Sequence, residues 1–139
     1  MSDHGSRAPL VVTHAGGLKF AAQIREHRLV VDQPAGAGGE DAGPMPLELL
    51  GASLGTCIAL YVQQFCHARN LRYEGMRVEV DPWGAHGRIG TFEVRVILPE
   101  PLPPQYAQLL ERVARSCPAH NTLTHGAEVE VAIEVPAAV

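Results

Sequence analysis

"PLELLGASLGTCIALYVQQFCHARN", residues 46–70, is the stretch on which the fold turns. Proline suits the first position of a helix, where its missing N–H had no intrahelical partner to lose. A helix is therefore predicted from Pro46 to about His67 or Asn70. Leu47, Leu49, Leu50, Ala52, Leu54, Cys57, Ile58, Ala59, Leu60, Val62 and Phe65 cover every side of its wheel. A helix that is apolar all round is buried all round. Membrane spanning is the rival reading, but the run from Leu47 to Val62 falls short of the ~20 residues a bilayer needs. Gln63 and Gln64 then close it. Small residues, Gly51, Ala52, Ser53 and Gly55, let other backbones come close. A chain of 139 residues has a large surface for its volume, so it is hard pressed to enclose such a helix alone. A second subunit is the simplest remedy, and a homodimer with this helix at or near the interface is expected.

Around the helix, the pattern reads as strands. In "PLVVTHAGGLKFAAQIREHRLVVDQP" (9–34), β-branched and aliphatic residues cluster into three strands, with reversals at Gly16-Gly17 and Arg25-Glu26. "AGAGGEDAGPM" (35–45) is a glycine-rich loop, read as a flexible entrance to the helix. "RYEGMRVEVDP" (72–82) and "GRIGTFEVRVILPE" (87–100) alternate and predict two strands joined through "WGAHG", whose Trp83 and His86 fall at a hairpin tip. "PPQYAQLLERVARSC" (103–117) is amphipathic, with Tyr106, Leu109, Leu110, Val113 and Ala114 on one stripe. "PAHNTL" (118–123) reads as a further short helical turn, and "AEVEVAIEV" (127–135) as a closing strand. The order βββ-α-ββ-α-β argues for one α+β domain in which a mostly antiparallel sheet wraps a central helix.

Composition narrows the function. Hydrophobic residues make up 46% and charged residues 19%, so the chain should fold. Net charge is −4 with scattered cations, which disfavours nucleic acid and anionic membrane, since both demand a concentrated basic face. Three cysteines are too few for a disulfide scaffold. With no basic-then-apolar leader in "MSDHGSRAPL", reduced thiols and a cytoplasmic location are expected.

The thiols are the candidate chemistry. Cys57 and Cys66 lie nine residues apart (66 − 57), so on a straight helix their sulfurs face opposite ways. Cys66 reads as a packing or surface residue. Cys117 ends one helix and precedes Pro118, which puts it at the N-cap of the next turn. There, unpaired N–H groups favour the thiolate and can pull its pKa below the free value of ~8.5. From the residues alone, Cys57 and Cys117 are either a working pair or two unrelated buried cysteines. Cys117 and His120 lie three apart, but no CxxC or HxxxH spacing supports a metal site, and no cofactor is expected.

Taken together, "GPMPLELLGASLGTCIALYV" and, 60 residues beyond its cysteine, "VARSCPAHNTL" resemble the OsmC/Ohr family of thiol-dependent peroxidases. "IREHRLVVDQPAGAGGEDAGPMPLELL" is similar to the family's approach to the first cysteine. The resemblance covers residues 10–135 and implies an intertwined homodimer with its sites at the subunit interface. It implies that Cys57 attacks an organic hydroperoxide and becomes sulfenic acid. Cys117 then condenses with it to a disulfide, and a dithiol such as a lipoyl protein returns both to thiols.

Two family features take a different form. The peroxidase branches carry glutamate ten residues before the first cysteine, where this chain has Leu47. Glu48, nine before, points about 180° away from Cys57 on a regular helix and suits the positive end of the helix dipole. The branches also carry arginine in the first interstrand loop, where this chain has Leu18 and Lys19. Lys19 supplies charge but no planar two-point clamp. Arg25 and Arg28 are other candidates for an activating cation, or else solvated turn residues. The chain is therefore identified as a member of the broader OsmC-like group, outside the best-defined peroxidase branches. Two functions follow: a hydroperoxide-reducing enzyme, or a catalytically weak protein of the same fold that binds a small hydrophobic ligand or senses redox state.

Overall fold

The computed structural model describes residues 8–138, and the chain divides between Ala52 and Ser53 into two units. In the first unit, β1 (Val11–His14), β2 (Phe20–Ile24) and β3 (His27–Val31) form an antiparallel sheet in that order. Val12 faces Ala22 across the first pair and Phe20 faces Val31 across the second. The tight reversal after β2 puts Arg25 at φ 51, in the left-handed region that a local hairpin demands. Asp32, directly after β3, is buried. Its carboxylate accepts N–H groups from Gln33 (2.7 Å), Glu40 (3.1 Å) and Ala42 (3.1 Å). The glycine-rich segment is thus a tied loop rather than a flexible entrance. A carboxylate satisfied by three backbone donors holds both ends of the segment.

Helix α1 spans Pro46–Ala68, close to the predicted bounds, and from Ser53 onward it belongs to the second unit. Its start is fixed by Glu48, whose Oε1 accepts the N–H of Met45 at 2.8 Å. In the second unit α1 lies with the hairpin of β4 (Arg77–Ala85) and β5 (Arg88–Ile97). Helices α2 (Ala107–Ala114) and α3 (Pro118–His125) complete the unit. The core is Leu54, Ile58, Val62, Phe65 and Cys66 of α1 with Leu110 and Cys117, and Val80, Phe92, Val94 and Val96 pack against it. The predicted stripe of Tyr106, Leu109, Leu110, Val113 and Ala114 joins the same core. At Gly55 a Cβ would lie 3.0 Å from Val80 Cγ2, so the small residue sets how closely helix and strand approach. The helix end is closed by Arg69, whose guanidinium lies 3.8 Å from the centre of the Phe65 ring.

Within one chain α1 is buried along one stripe: Leu47, Leu50 and Leu60 are 50%, 39% and 52% exposed. One chain supplies one layer of cover. By length and apolarity α1 would suffice to cross a bilayer, yet its stripe is filled by side chains of this chain's own strands and α2. One expectation changes: residues 127–135 form no strand. Val129, Val131, Ile133 and Val135 are between 79% and 85% exposed. An alternating sequence makes a strand only when another strand offers its hydrogen bonds.

Candidate functional site

The site is built from the middle of α1 and the start of α3. Cys57 sits on the helix, partly buried, against the core. Cys117 is fully buried and is the N-cap of α3: its φ of −67° and ψ of 146° are extended, and Pro118 follows at the first helical position. Its Sγ accepts the N–H of His120 at 3.3 Å, a role usually played by serine or aspartate oxygen. The Cys57 thiol lies near enough to act on the Cys117 thiol. Residues far apart in sequence are thus brought near one another, and no disulfide joins them.

The Cys117 pKa is raised, against the expectation from its N-cap position. Burial pushes it up most. The N–H groups of His120 and Ala119 pull the other way, as an N-cap should. The Cys57 thiol pushes it up again, by hydrogen bonding and by its charge when ionised. Desolvation outweighs the helix end, and two neighbouring sulfurs disfavour two negative charges.

Cys66 is also fully buried, and burial raises its pKa while Arg69 partly offsets the rise. It packs in the core beside Val62 and Phe65, in line with the packing role expected of it.

The proposed activating residues all belong to the first unit. Lys19 pairs with Glu40 at 2.5 Å. Arg25 and Arg28 are exposed at the β2–β3 turn. Glu48 occupies the helix start described above. Among the described residues, no group of three or more His, Cys, Asp or Glu side chains gathers in the way a metal ion requires.

A family model described as OsmC-like protein matches residues 38–132, which include Cys57 and Cys117. The chain belongs to the OsmC-like family. Solved structures share its fold. An osmotic stress induced and detoxification response protein of Psychrobacter arcticus superposes with a TM-score of 0.76 at 19% identity, over 85% of this chain and 89% of that one. An OsmC-like protein of Mycoplasma pneumoniae gives 0.62 at 18% identity, over 86% and 89%. An organic hydroperoxide resistance protein of Legionella pneumophila, further described as a redox protein and regulator of sulfide bond formation, gives 0.54 at 19%, over 86% and 91%. At these identities the likeness is one of fold. Among curated proteins no relative matches the sequence.

Within this OsmC-like chain, one residue of the site escaped the sequence reading. His120 entered there only as a possible metal ligand, yet its N–H binds the Cys117 sulfur. Its ring nitrogen Nδ1 is buried with no hydrogen-bond partner among the described residues. The available signal was its position: third residue of a helix whose cap is a cysteine.

Proposed function

We propose that the protein is a thiol-dependent peroxidase acting on organic hydroperoxides through Cys57 and Cys117. The observation that carries this reading is the nearness of two free thiols, Cys117 in the apolar core and Cys57 packed against it. Membership of the OsmC-like family and the fold shared with the Legionella hydroperoxide resistance protein support a peroxidase-like redox role.

Cys57, as thiolate, attacks the hydroperoxide: its S–O bond forms, the O–O bond breaks, and the alcohol leaves with a proton. Cys117 is the resolving partner. Its sulfur displaces hydroxide from the sulfenic acid, forming a disulfide and water. An external dithiol, such as a lipoyl protein, then restores both thiols by exchange. Burial among apolar side chains favours alkyl hydroperoxides over hydrogen peroxide.

A second copy of the chain completes the molecule in this reading. It would cover Leu47, Leu50 and Leu60 of α1 and offer a strand to the alternating residues 127–135, which are exposed in one chain. Free thiols suit a reducing compartment, the cytoplasm.

The test is consumption of cumene hydroperoxide with dihydrolipoamide as reductant. Wild type should turn over, Cys57→Ser should be inactive, and Cys117→Ser should reduce one equivalent and stop. A wild-type protein that forms the Cys57–Cys117 disulfide without turnover would instead be a redox sensor or binding protein of this fold. Two features favour that second reading: Leu47 at the family's glutamate position, and Lys19 engaged by Glu40.

A further inference from the structure

We propose that His120 is the proton acceptor of the disulfide-closing step: its Nδ1 takes the thiol proton of Cys117 as that sulfur attacks oxidised Cys57. The inference rests on the peroxidase reading, and it assigns a group to the one step for which that reading names no base.

Three observations lead to it. The first is contact. The His120 N–H donates to Cys117 Sγ at 3.3 Å, so the residue is fixed against a reacting atom by its own backbone. Four covalent bonds separate Nδ1 from that nitrogen, which keeps it within about 8 Å of the sulfur. For the transfer, the ring must bring Nδ1 to within direct or one-water reach of the sulfur.

The second is the unmet hydrogen bond. Nδ1 is closed off from solvent and has no partner among the described residues. With its proton on Nε2, a neutral imidazole presents Nδ1 as a bare acceptor. Buried acceptors without donors are rare and destabilising, and those retained call for a functional explanation. The donor that suits this one is a thiol or hydroxyl that appears or turns during the reaction.

The third is chemical need. A thiolate is the nucleophile in disulfide formation, and Cys117 sits where burial keeps it protonated. It therefore needs an acceptor at the moment of attack, and imidazole is the side chain whose ordinary pKa lies nearest neutrality.

The step balances as follows. The Cys117 S–H bond breaks and its proton goes to Nδ1. The Cys117 sulfur forms an S–S bond with Cys57 while the Cys57 S–O bond breaks. The departing hydroxide takes the proton from the imidazolium and leaves as water. The sulfenic sulfur is reduced and the thiol sulfur oxidised by equal amounts, with the hydroperoxide as the original oxidant.

The experiment follows single turnovers of wild type, His120→Leu and His120→Asn after mixing with one equivalent of cumene hydroperoxide. Cys57 sulfenic acid is trapped with dimedone and disulfide is quantified by mass spectrometry. In His120→Leu the sulfenic acid should form at an unchanged rate, while closure slows by about a hundredfold, so that sulfenic acid accumulates. The reduced Leu variant should melt no lower than wild type, since it removes an unpartnered buried atom. His120→Asn keeps a hydrogen-bonding atom near the Nδ1 position but cannot hold the proton, and should close as slowly as the Leu variant. Closure at the wild-type rate in His120→Leu overturns the inference. So does a parallel loss of both steps, or full rescue by asparagine. A wild-type protein that yields no trapped sulfenic acid removes the peroxidase reading itself, and the inference with it.

Discussion

In the first unit, the carboxylate of Asp32 is buried beneath a loop and receives three backbone N–H groups, from Gln33, Glu40 and Ala42. In the second, Nδ1 of His120 is as closed off from water and receives no donor from any described residue. Both are polar atoms that cost stability when left unpaired. The fold meets that cost locally at Asp32 and leaves it standing at His120. The two therefore teach different things. A buried group whose partners come from its own loop is a fastener, and removing it loosens the structure. A buried group kept without a partner beside a thiol is, on our proposal, a working group, and removing it should alter chemistry before it alters stability.

The largest structural effect should follow from breaking the fastener. Asp32→Ala strands three N–H donors and frees the loop from 33 to 42, so the melting temperature should fall by about 5 °C or more. The acid limb of the stability curve offers the same test without a large perturbation. Burial pushes the Asp32 pKa up, but the N–H groups of Ala42, Gln33 and Glu40, with the charge of Lys19, carry it below its ordinary value. A lowered native pKa gives stability that is present above the unfolded value of about 3.9 and is lost as pH falls through and below it. Urea midpoints across pH 3 to 7 should show that loss in wild type and a flatter acid limb in Asp32→Asn. If Asp32→Ala melts like wild type, the contrast with His120 has no basis.

What the sequence disclosed tracks how local each feature is. Pro46 announced the start of α1, and the alternation in 77–97 announced β4 and β5, because period and turn residues act over a few positions. Cys117 was legible as an N-cap from the proline after it. Its raised pKa was not, because a helix end is local whereas desolvation is a property of everything packed around the sulfur. The unpaired residues 127–135 were misread for a related reason. Apolar pattern reports what wants cover, and not whether this chain supplies it. His120 was hidden most thoroughly, since a missing hydrogen bond leaves no trace in composition or spacing.

A second pair sharpens the comparison within one residue type. Cys66 and Cys117 are equally buried, both with no exposure, but only Cys117 has a donor aimed at its side chain. Cys66→Ser should bury a hydroxyl in an apolar setting and lower the unfolding free energy by about 2 kcal/mol, with hydroperoxide reduction unchanged. Cys117→Ser gives that hydroxyl the His120 N–H and a good N-cap oxygen, so it should be clearly less destabilising while abolishing disulfide closure. Urea denaturation of the two reduced variants, beside their single-turnover traces, separates the outcomes. Equal destabilisation would mean that the His120 N–H does little for the atom at position 117.

The smallest effect is expected at Glu48, and it bears on the comparison because this carboxylate was a candidate for the reaction. Its Oε1 accepts the Met45 N–H at 2.8 Å, the reach of a third-position glutamate back to the residue that caps its helix. That places it with Asp32 among the fasteners, in a more exposed and weaker form. Glu48→Ala should lower stability by about 0.5 kcal/mol, through the lost cap and the lost charge at the positive end of α1. Glu48→Gln, which keeps an acceptor oxygen, should recover part of it. Neither variant should change the rate at which Cys57 is oxidised or the rate at which Cys117 closes on it. A fall in the oxidation rate of Glu48→Gln, with stability unchanged, would move this residue from the fasteners to the working groups, because only a role for the charge itself could separate the two effects.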